Sequence, residues 1–279
     1  MTLATRILAT GPGWFVQDAV CGAGPDDRPF EERHETVCLS TVLEGTFGYR
    51  TRTGEALLLP GALMLGNAED CFECSHHHSA GDRCLSFHYT PDCWVALVAA
   101  LPGARQARLP VPRLPPRVCP VTLTATLEAA RDVDSAALEE GALDLAAAVL
   151  RALDDHIEPT GRGTSGRERD SARVSQIVRH IELNLDEVEG SALSVGALAR
   201  EAGMSPYHFL RTFRRVAGMP PHQFVLRLRL NRAAIRLRTT QEPISAIALD
   251  AGFADLSTFN RRFRRIMGVT PGAYRKSLG

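Results

Sequence analysis

The amino-acid sequence predicts an α+β protein with two domains. The first is an antiparallel β domain with flanking helices, and the second is an all-α domain in which a long helix joins two helix-turn-helix units. Three observations predict this fold class: short β-forming runs in residues 35–89, an internal repeat towards the C-terminus, and a division of charge between the two parts. We place the domain boundary near residue 165, which gives domains 1–165 and 166–279.

Charge is unevenly distributed along the chain. The sequence has 32 basic and 32 acidic residues, yet residues 171–279 contain 17 Arg plus Lys against 8 Asp plus Glu. By difference, positions 1–170 hold 15 basic and 24 acidic side chains, so the two parts carry net charges of −9 and +9. A basic C-terminal part of this kind suggests a polyanionic partner such as nucleic acid.

Residues 35–89 show the pattern of an all-β domain. Short runs of Val, Leu, Thr, Phe and Tyr alternate with turn residues at Gly45, Gly54, Pro60, Gly66 and Gly81. Runs of this length at this spacing indicate an antiparallel sandwich or a small barrel. The part of the chain that precedes the basic region is also long enough to bury a core of its own.

A cluster of potential metal ligands lies within this β region. If residues 72–78 are extended, Cys74, His76 and His78 share one face, and Cys84 and His88 share a face of a following strand. Pairing of those two strands would bring sulfur and imidazole ligands together, a set that suits zinc or another borderline-soft metal. The alternatives are a thiol-based redox response and an exposed, metal-free loop.

Three further segments precede the repeat. Residues 109–120 contain five prolines in twelve residues, which predicts no regular structure. Residues 122–156 are rich in Ala and Leu and predict a helix whose one face contains Leu138, Ala142, Leu145, Val149, Ala152 and His156. Residues 158–170, with three glycines and a proline, predict a flexible linker.

The sequence predicts a cytoplasmic protein. The N-terminal segment, positions 1–20, lacks the continuous apolar stretch of a secretory leader, and the longest apolar run, residues 56–65, is too short to span a bilayer. The seven cysteines are an odd number, so we expect a reducing compartment without structural disulfides, and no membrane partner.

The C-terminal repeat has a period of 49 to 50 residues. Gly203, Phe213 and Gly218 return as Gly252, Phe263 and Gly268, and each copy reads as a helix, a glycine turn and an arginine-rich helix. Ser194, Ser205 and Asp255 stand where helix N-caps are expected. Two such copies predict a tandem pair of helix-turn-helix units.

The face of each second helix that lies outside the apolar stripe is polar and basic. In the first copy these positions are Tyr207, His208, Arg211, Thr212, Arg214 and Arg215, and in the second they are Leu256, Ser257, Asn260, Arg261, Arg262, Arg264 and Arg265. Arginine forks match phosphate and guanine, and Asn can pair with adenine in the major groove. A solvated basic face is the alternative, and the matching pair of units makes a DNA-binding face the better interpretation.

A helix is predicted between the two units, over Pro221 to Thr239. Nineteen helical residues span roughly 28 Å, and successive major-groove faces on one side of B-DNA lie about 34 Å apart. A rigid connector of this length could set both arginine-rich helices on one face of a duplex, especially if the DNA bends.

The segment from about Ile177 to Lys276 resembles the DNA-binding domain of the AraC/XylS transcription regulators. The resemblance rests on LAREAGMSPYHFLRTFRRVAGMPPHQF in the first unit, RLRLNRAAIRLRTT in the connector and ISAIALDAGFADLSTFNRRFRRIMGVTPGAYR in the second unit. It implies a seven-helix bundle with two recognition helices in adjacent major-groove segments. It also implies an N-terminal cupin-like barrel as sensor domain. In related regulators helices like that of residues 122–156 often form a homodimer, and packing of this helix within its own subunit is the alternative.

Carried over by position, the resemblance assigns base-facing roles to Tyr207, Leu210, Arg211, Leu256, Ser257, Asn260 and Arg261. Leu210 and Leu256 depart from the polar residues common at such positions, so contact with thymine methyl groups, or no readout, is expected there. Arg214 and Arg264 are expected to contact phosphate.

The function expected from these observations is sequence-specific transcription regulation rather than catalysis. Promoter DNA and RNA polymerase are the expected partners, and the β domain is expected to sense a small molecule or a metal. The alternatives are a cupin-type metal enzyme, a cysteine-dependent DNA-repair protein and an architectural DNA binder with an inert β domain. The sequence lacks the Pro-Cys-His-Arg motif of a methyl acceptor, which argues against the repair protein.

Overall fold

The computed structural model describes residues 3–29, 31–76, 81–101, 107–116, 125, 135–155, 165–187 and 192–276. Ten strands lie in its N-terminal part: β1 Leu3–Gly11, β2 Trp14–Cys21, β3 Glu31–Arg33, β4 Val37–Gly45, β5 Phe47–Thr51, β6 Gly54–Leu58, β7 Leu63–Gly66, β8 Cys71–Ser75, β9 Asp82–Tyr89 and β10 Arg113–Leu114. They form a six-stranded sheet in the order β1-β2-β9-β4-β7-β10 and a four-stranded sheet in the order β3-β8-β5-β6. All recorded pairs are antiparallel, as the β-type pattern predicted.

The six-stranded sheet is covered on both faces. One face, which includes Val16, Leu39 and Phe87, packs in a core with helices α1 (Pro91–Ala100) and α2 (Ser135–Asp155). The other face, which includes Val42 and Cys84, packs against side chains of the second sheet. Because strand residues alternate between faces, the two sets of contacts fix the register of the sheet.

Helix α2 buries most of its predicted face within its own subunit. Leu138, Ala142, Leu145 and Val149 are buried in the core that also contains the sheet, and the Tyr89 hydroxyl donates to the carbonyl of Ala142 at 2.6 Å. Ala152 is partly buried against the same core. The remaining member of the predicted face, His156, lies outside the described residues. The alternative of packing within the subunit therefore accounts for the buried part of this face.

Three expectations about N-terminal elements are corrected by the structure. Strands β1, β2 and β3 precede the predicted β region, and β1 was missed because it is a largely exposed outer strand without a clear apolar run. The proline-rich segment contains β10, a two-residue strand that pairs with β7. The predicted linker is helical from Ser165 onward, where a 19-residue helix begins.

Seven helices follow in the described part of the C-terminal region. They are α3 Ser165–Leu183, α4 Val195–Glu201, α5 Pro206–Ala217, α6 Pro221–Thr239, α7 Ile244–Asp250, α8 Leu256–Met267 and α9 Pro271–Lys276. The predicted caps form: the side chains of Ser194, Ser205 and Asp255 accept from backbone N–H groups in the first turns of α4, α5 and α8. The connector α6 has the predicted bounds and 19 residues.

Each helix-turn-helix unit has its own aromatic core. Phe209, Phe213 and Phe224 pack together in the first unit, with ring centroids 5.6 Å apart for each successive pair. In the second unit Phe259 packs on Phe263 at 5.4 Å and Phe263 on Tyr274 at 5.5 Å. These buried rings hold the opposite, exposed faces of α5 and α8 in place.

The β domain and the helical domain share one hydrophobic cluster. It contains Val42 and Phe47 of the β domain together with Ile177 and Val178 of α3 and Phe213 of α5. The two domains therefore pack directly on each other. No helix within the described ranges is both long and apolar enough to cross a membrane.

Candidate functional site

The exposed face of α5 contains all four of the predicted DNA-binding residues of the first unit. Tyr207, Leu210, Arg211 and Arg214 are exposed, and Tyr207 is 71% exposed. The Arg211 guanidinium carbon lies 5.8 Å from the centroid of the Tyr207 ring. This cation–π contact restrains both side chains on the outer face of the helix.

Thr212 does not lie on that exposed face. The spacing of the apolar stripe predicts an exposed position for Thr212, but the residue is 2% exposed. It follows Phe209 by three residues and precedes Val216 by four, so helical periodicity places it on the buried side. The prediction that Thr212 lies on the exposed face was therefore wrong. Its side chain is β-branched and has one methyl group, which is compatible with a buried position.

The exposed face of α8 contains the predicted residues of the second unit. Leu256, Ser257, Asn260, Arg261 and Arg264 are exposed. An open cleft beside the helix is lined by Leu256, Asn260, Arg261 and Arg264. The outer faces of α5 and α8 therefore present arginines together with one or more residues that can hydrogen bond to a base edge.

The arginines of the helical domain divide into two groups. Arg211, Arg214, Arg261 and Arg264 form no ion pair with a carboxylate of the described residues, so their guanidinium groups are available to a ligand. By contrast, Arg236 bonds to the carboxylates of two acidic residues, at 3.0 Å to Asp250 and also to Glu242. The four arginines without such ion pairs are candidate DNA-binding residues, whereas Arg236 stabilises the fold.

Arg229 is a structural arginine that sequence reasoning counted only as positive charge. It is 4% exposed, and its Nε donates to the carbonyl of Leu185 at 3.0 Å. Its Nη2 also donates to the carbonyl of Glu187. A Cβ at Gly252 would lie 2.8 Å from the Arg229 guanidinium carbon, so glycine at that position leaves room for it. The only signal in the sequence was an arginine within the helical connector, which does not distinguish this role from DNA contact.

The β domain brings together a cluster of metal-binding residue types, but not the predicted set. Potential ligand atoms of Cys21, His76 and Asp82 lie within 4.8 Å of one another, and His76 Nε2 is 2.6 Å from Asp82 Oδ2. Cys21 was missed because it lies on β2, far ahead of the predicted cluster in the sequence. In the structure β2 pairs with β9, and Cys21 is the register partner of Asp82.

The strand pairing on which the predicted metal site depended does not occur. Strand β8 pairs with β3 and β5 in one sheet, whereas β9 pairs with β2 and β4 in the other. Strand β8 also ends at Ser75, so His76 follows the strand instead of extending it. The sulfur of Cys84 contacts Asp82 Oδ1 at 3.6 Å. The negative charge of Asp82 also contributes to the raised pKa of Cys74.

Two predicted metal ligands are not placed in this cluster. His88 is six residues from Asp82, about 20 Å along an extended strand, with its Nδ1 bonded to Thr36 Oγ1 at 2.9 Å and its ring stacked on Phe15. The prediction that His88 belongs to this metal site was therefore wrong. His78 lies outside the described residues.

The thiols of Cys74, which is half-buried, and Cys84, which is buried, differ from those of reactive cysteines. Burial raises the pKa of Cys74 and raises that of Cys84 well above its usual value. Both thiols are therefore protonated at neutral pH in the metal-free protein, whereas a redox-active cysteine needs thiolate character. This disfavours the thiol-based redox alternative.

The interior between the two sheets contains the imidazoles of His34, which is buried, and His88, which is half-buried. His34 Nε2 lies 2.8 Å from the Tyr49 hydroxyl, and its ring stacks on Phe72. His88 Nε2 is buried without a hydrogen-bond partner among the described residues. Burial lowers the pKa of both His34 and His88 to about 4, so both rings are neutral near pH 7. A neutral imidazole with an unpaired nitrogen can bind a polar group of a small ligand.

Polar contacts link the β domain to the first helix of the helical domain. Thr46 Oγ1 shares a hydrogen bond with Ser175 Oγ of α3, and the Gly45 backbone amide donates to Glu182 Oε1 at 3.2 Å. Burial raises the pKa of the Glu182 carboxyl to about 7. Gly45 is the last residue of β4 and Thr46 follows it, so these contacts join the end of β4 to α3.

Arg113 links the β domain directly to helix α5. Its Nη1 donates to the carbonyl of Leu57 at 2.7 Å, and its Nη2 donates to the carbonyl of Val216 at 2.6 Å. Burial lowers the pKa of this guanidinium to about 10. A Cβ at Gly218, the C-cap of α5, would lie 2.5 Å from Cβ of Pro115. The candidate DNA-binding helix is therefore held against the β domain at its C-terminal end.

Comparison with known proteins places the strongest similarity in the helical domain. A family model described as a helix-turn-helix domain matches residues 198–277. Regulatory protein SoxS of Salmonella typhimurium is 36% identical over 103 residues, which are 37% of this chain and 96% of that protein. The HTH-type transcriptional regulator Rv1931c of Mycobacterium tuberculosis is 40% identical over 89 residues, covering 32% of this chain and 34% of that protein.

A solved structure is also similar over this region. It is the DNA-binding domain of AdpA, a global transcriptional factor, in complex with a target DNA. It is 30% identical, covers 37% of this chain and 89% of that chain, and has a TM-score of 0.35.

Proposed function

The chain belongs to the AraC/XylS family of transcription regulators, and on that premise we propose that α5 and α8 read two successive major-groove segments of one promoter site. The observation that supports this most directly is the matched pair of exposed, basic helix faces, each backed by its own aromatic core. We assign base contacts to Tyr207, Leu210, Arg211, Leu256, Ser257, Asn260 and Arg261, and phosphate contacts to Arg214 and Arg264.

The chemistry of these side chains fits that division. Arg211 and Arg261 each follow their helix N-cap by six residues, so they lie in the N-terminal half of the helix, the part that enters the groove in helix-turn-helix proteins. Arg214 and Arg264 lie near the C-terminal ends, where a guanidinium can reach the flanking backbone. Asn260 supplies the amide that pairs with adenine.

The β domain has the contacts needed to modulate this binding, and we assign it the role of an effector-sensing, cupin-like domain. Arg113 connects Leu57 of β6 to Val216 of α5, and the Gly45–Glu182 hydrogen bond connects β4 to α3. An effector that displaces β4 or β6 would therefore act on the position of α5 relative to α8. RNA polymerase is the partner through which such a change would alter transcription.

Arginine substitutions test the DNA-binding assignment. Arg211→Ala and Arg261→Ala should each weaken specific binding by about 1 to 3 kcal/mol, because each removes a bidentate contact to a base edge. The measurement is a gel-shift titration on a duplex that the full chain selects from a random-sequence library, with a scrambled duplex for comparison.

Arg6→Ala is the matched control, because it removes the same charge from an exposed position on β1. It should leave the affinity for the selected duplex unchanged. Failure of the chain to select any sequence, or equal affinity of all three variants for the selected duplex, would contradict the assignment.

A further inference from the structure

Three potential metal ligands from separate parts of the chain converge at one end of the β domain. Cys21 is the last residue of β2 and Asp82 is the first residue of β9, and the two are register partners. Partners in an antiparallel pair project on the same face of the sheet, so the sulfur and the carboxylate lie side by side. His76, the residue directly after β8, supplies an imidazole from the opposite sheet.

The geometry of these groups is close to that of a metal site. Their ligand atoms lie within 4.8 Å of one another, and His76 Nε2 is 2.6 Å from Asp82 Oδ2. Zinc bonds of about 2.0 Å to nitrogen or oxygen and about 2.3 Å to sulfur place the ligand atoms of a tetrahedral site with one sulfur roughly 3.3 to 3.5 Å apart. Side-chain shifts on the order of 1 Å would convert the present His–Asp contact into that arrangement.

The surroundings of the cluster favour a cation. The side chains of His76 and Asp82 are only 4% and 9% exposed, so a bound ion would be largely shielded from water. Asp27 and Glu32 act electrostatically on Cys21, and the Cys84 sulfur contacts the second carboxylate oxygen of Asp82. A divalent cation would compensate this concentration of acidic groups, and a sulfur, nitrogen and oxygen donor set suits zinc-like ions more than magnesium or calcium.

We propose that Cys21, His76 and Asp82 bind a zinc-like divalent cation whose occupancy changes how the helical domain engages DNA. The position of the cluster supports the second part. Asp82 is the register partner of Gly45, and the Gly45 amide donates to Glu182 of α3. The ring of Phe47, which belongs to the core shared with α3, stacks on His76 with centroids 5.8 Å apart.

The regulatory part rests on the proposed DNA-binding function, whereas the binding of the metal does not. The metal site is therefore tested first, on the untagged full chain with Zn²⁺ alone, by equilibrium dialysis and by thermal unfolding. One zinc per chain should be bound, and the unfolding temperature should rise with zinc concentration, because a ligand that binds only the folded state stabilises it.

Cys21→Ser and Asp82→Asn should each reduce zinc affinity by more than the roughly 10- to 100-fold that loss of an outer-shell partner costs. Cys93→Ser is the matched control, since this cysteine lies on α1, away from the cluster. It should retain the wild-type affinity. If one ligand variant fails to fold, the other still tests the site.

Wild-type protein that binds no zinc, or Cys21→Ser and Asp82→Asn proteins that bind it as wild type does, would overturn the metal site. So would a variant with His77→Ala and His78→Ala that loses zinc while Cys21→Ser retains it, because the histidine run would then be the ligand. Each of these outcomes is independent of DNA.

The coupling is tested by repeating the gel-shift titration with and without zinc. Zinc should change the affinity of the wild type for its selected duplex severalfold and leave that of Cys21→Ser unchanged. Zinc binding without any change in DNA affinity would overturn the regulatory part alone, whereas absence of specific DNA binding in both states would instead overturn the proposed function.

Discussion

Glu182 is a half-buried carboxyl group at the junction of the two domains. Desolvation raises its pKa from 4.5 to about 7, the neighbouring charge of Glu44 adds to the increase, and the Gly45 amide and Arg179 oppose it. Because the folded pKa exceeds the unfolded one, the folded protein holds an extra proton between about pH 4.5 and 7. The contribution of this group to stability is therefore greatest below pH 4.5 and is lost as pH rises through 7.

Glu182→Gln should remove this pH dependence. A shift of one pKa unit corresponds to about 1.36 kcal/mol. The free energy of unfolding of the variant should therefore rise relative to that of the wild type by up to about 3 kcal/mol between pH 4.5 and pH 8. The comparison with the wild type matters, because the lowered pKa values of His34 and His88 contribute a dependence of opposite sign to both proteins. The measurement is thermal unfolding of both full chains across this pH range.

Glu201→Gln, at an exposed position on α4, is the control and should follow the wild type. A constant difference between Glu182→Gln and the wild type at every pH would show that Glu182 ionises normally in the folded protein.

For individual residues, exposure was more predictable from the sequence than role. The exposure of Arg211 and Arg261 followed from helical periodicity around a clear apolar stripe. The burial of Arg229 could not be predicted, because it depends on the carbonyl groups of Leu185 and Glu187, which are distant in the sequence. Cys21 was missed for the same reason, since only the β2–β9 register brings it to Asp82.

At the scale of elements, two glycines with the same backbone conformation differ in their surroundings. Gly252 has φ of 78° and Gly268 has φ of 79°, a left-handed conformation that costs an alanine roughly 1 to 2 kcal/mol. A Cβ at Gly268 would meet nothing within 4 Å, whereas a Cβ at Gly252 would lie 2.7 Å from the Leu185 carbonyl oxygen and 2.8 Å from the Arg229 guanidinium.

Gly252→Ala should therefore destabilise the helical domain more than Gly268→Ala. Gly268→Ala should lower the free energy of unfolding only by the cost of placing an alanine in the left-handed conformation, roughly 1 to 2 kcal/mol. Gly252→Ala should add the cost of moving Arg229 or the turn that follows α3, which contains Leu185. Urea denaturation of the two variants and the wild type measures the difference, and equal losses in both would mean that the contact with Arg229 does not constrain this turn.

Elements with strong local signals were predictable from the sequence. Capping residues, αL glycines and regular apolar spacing gave α4 to α8 close to their observed bounds. Strand partners were not predictable, because β8 and β9 are neighbours in the sequence yet belong to different sheets. The predicted metal site depended on that pairing, which is why it joined residues that the structure places apart.

At the scale of the whole molecule, the two domains form a continuous structure around α3 and α5. Val42 and Phe47 share a hydrophobic cluster with Ile177 and Phe213, and Arg113 bonds across the same junction. The charge division of −9 and +9 thus separates an acidic β domain from a basic helical domain that remains in contact with it. A change in the β domain can reach α5 through these packed and hydrogen-bonded atoms.

The connector α6 determines whether α5 and α8, the two proposed recognition helices, can contact one duplex. Its 19 residues span roughly 28 Å, comparable with the separation of about 34 Å between major-groove faces one helical turn apart. Two helices held in this way should protect two blocks of one DNA face, with their centres about 10 base pairs apart.

Hydroxyl-radical footprinting of the full chain on its selected duplex measures this directly. We expect two protected blocks one helical turn apart, with Arg211→Ala weakening one block and Arg261→Ala weakening the other. A single protected block, or loss of the same block in both variants, would contradict the simultaneous binding of α5 and α8 to one duplex.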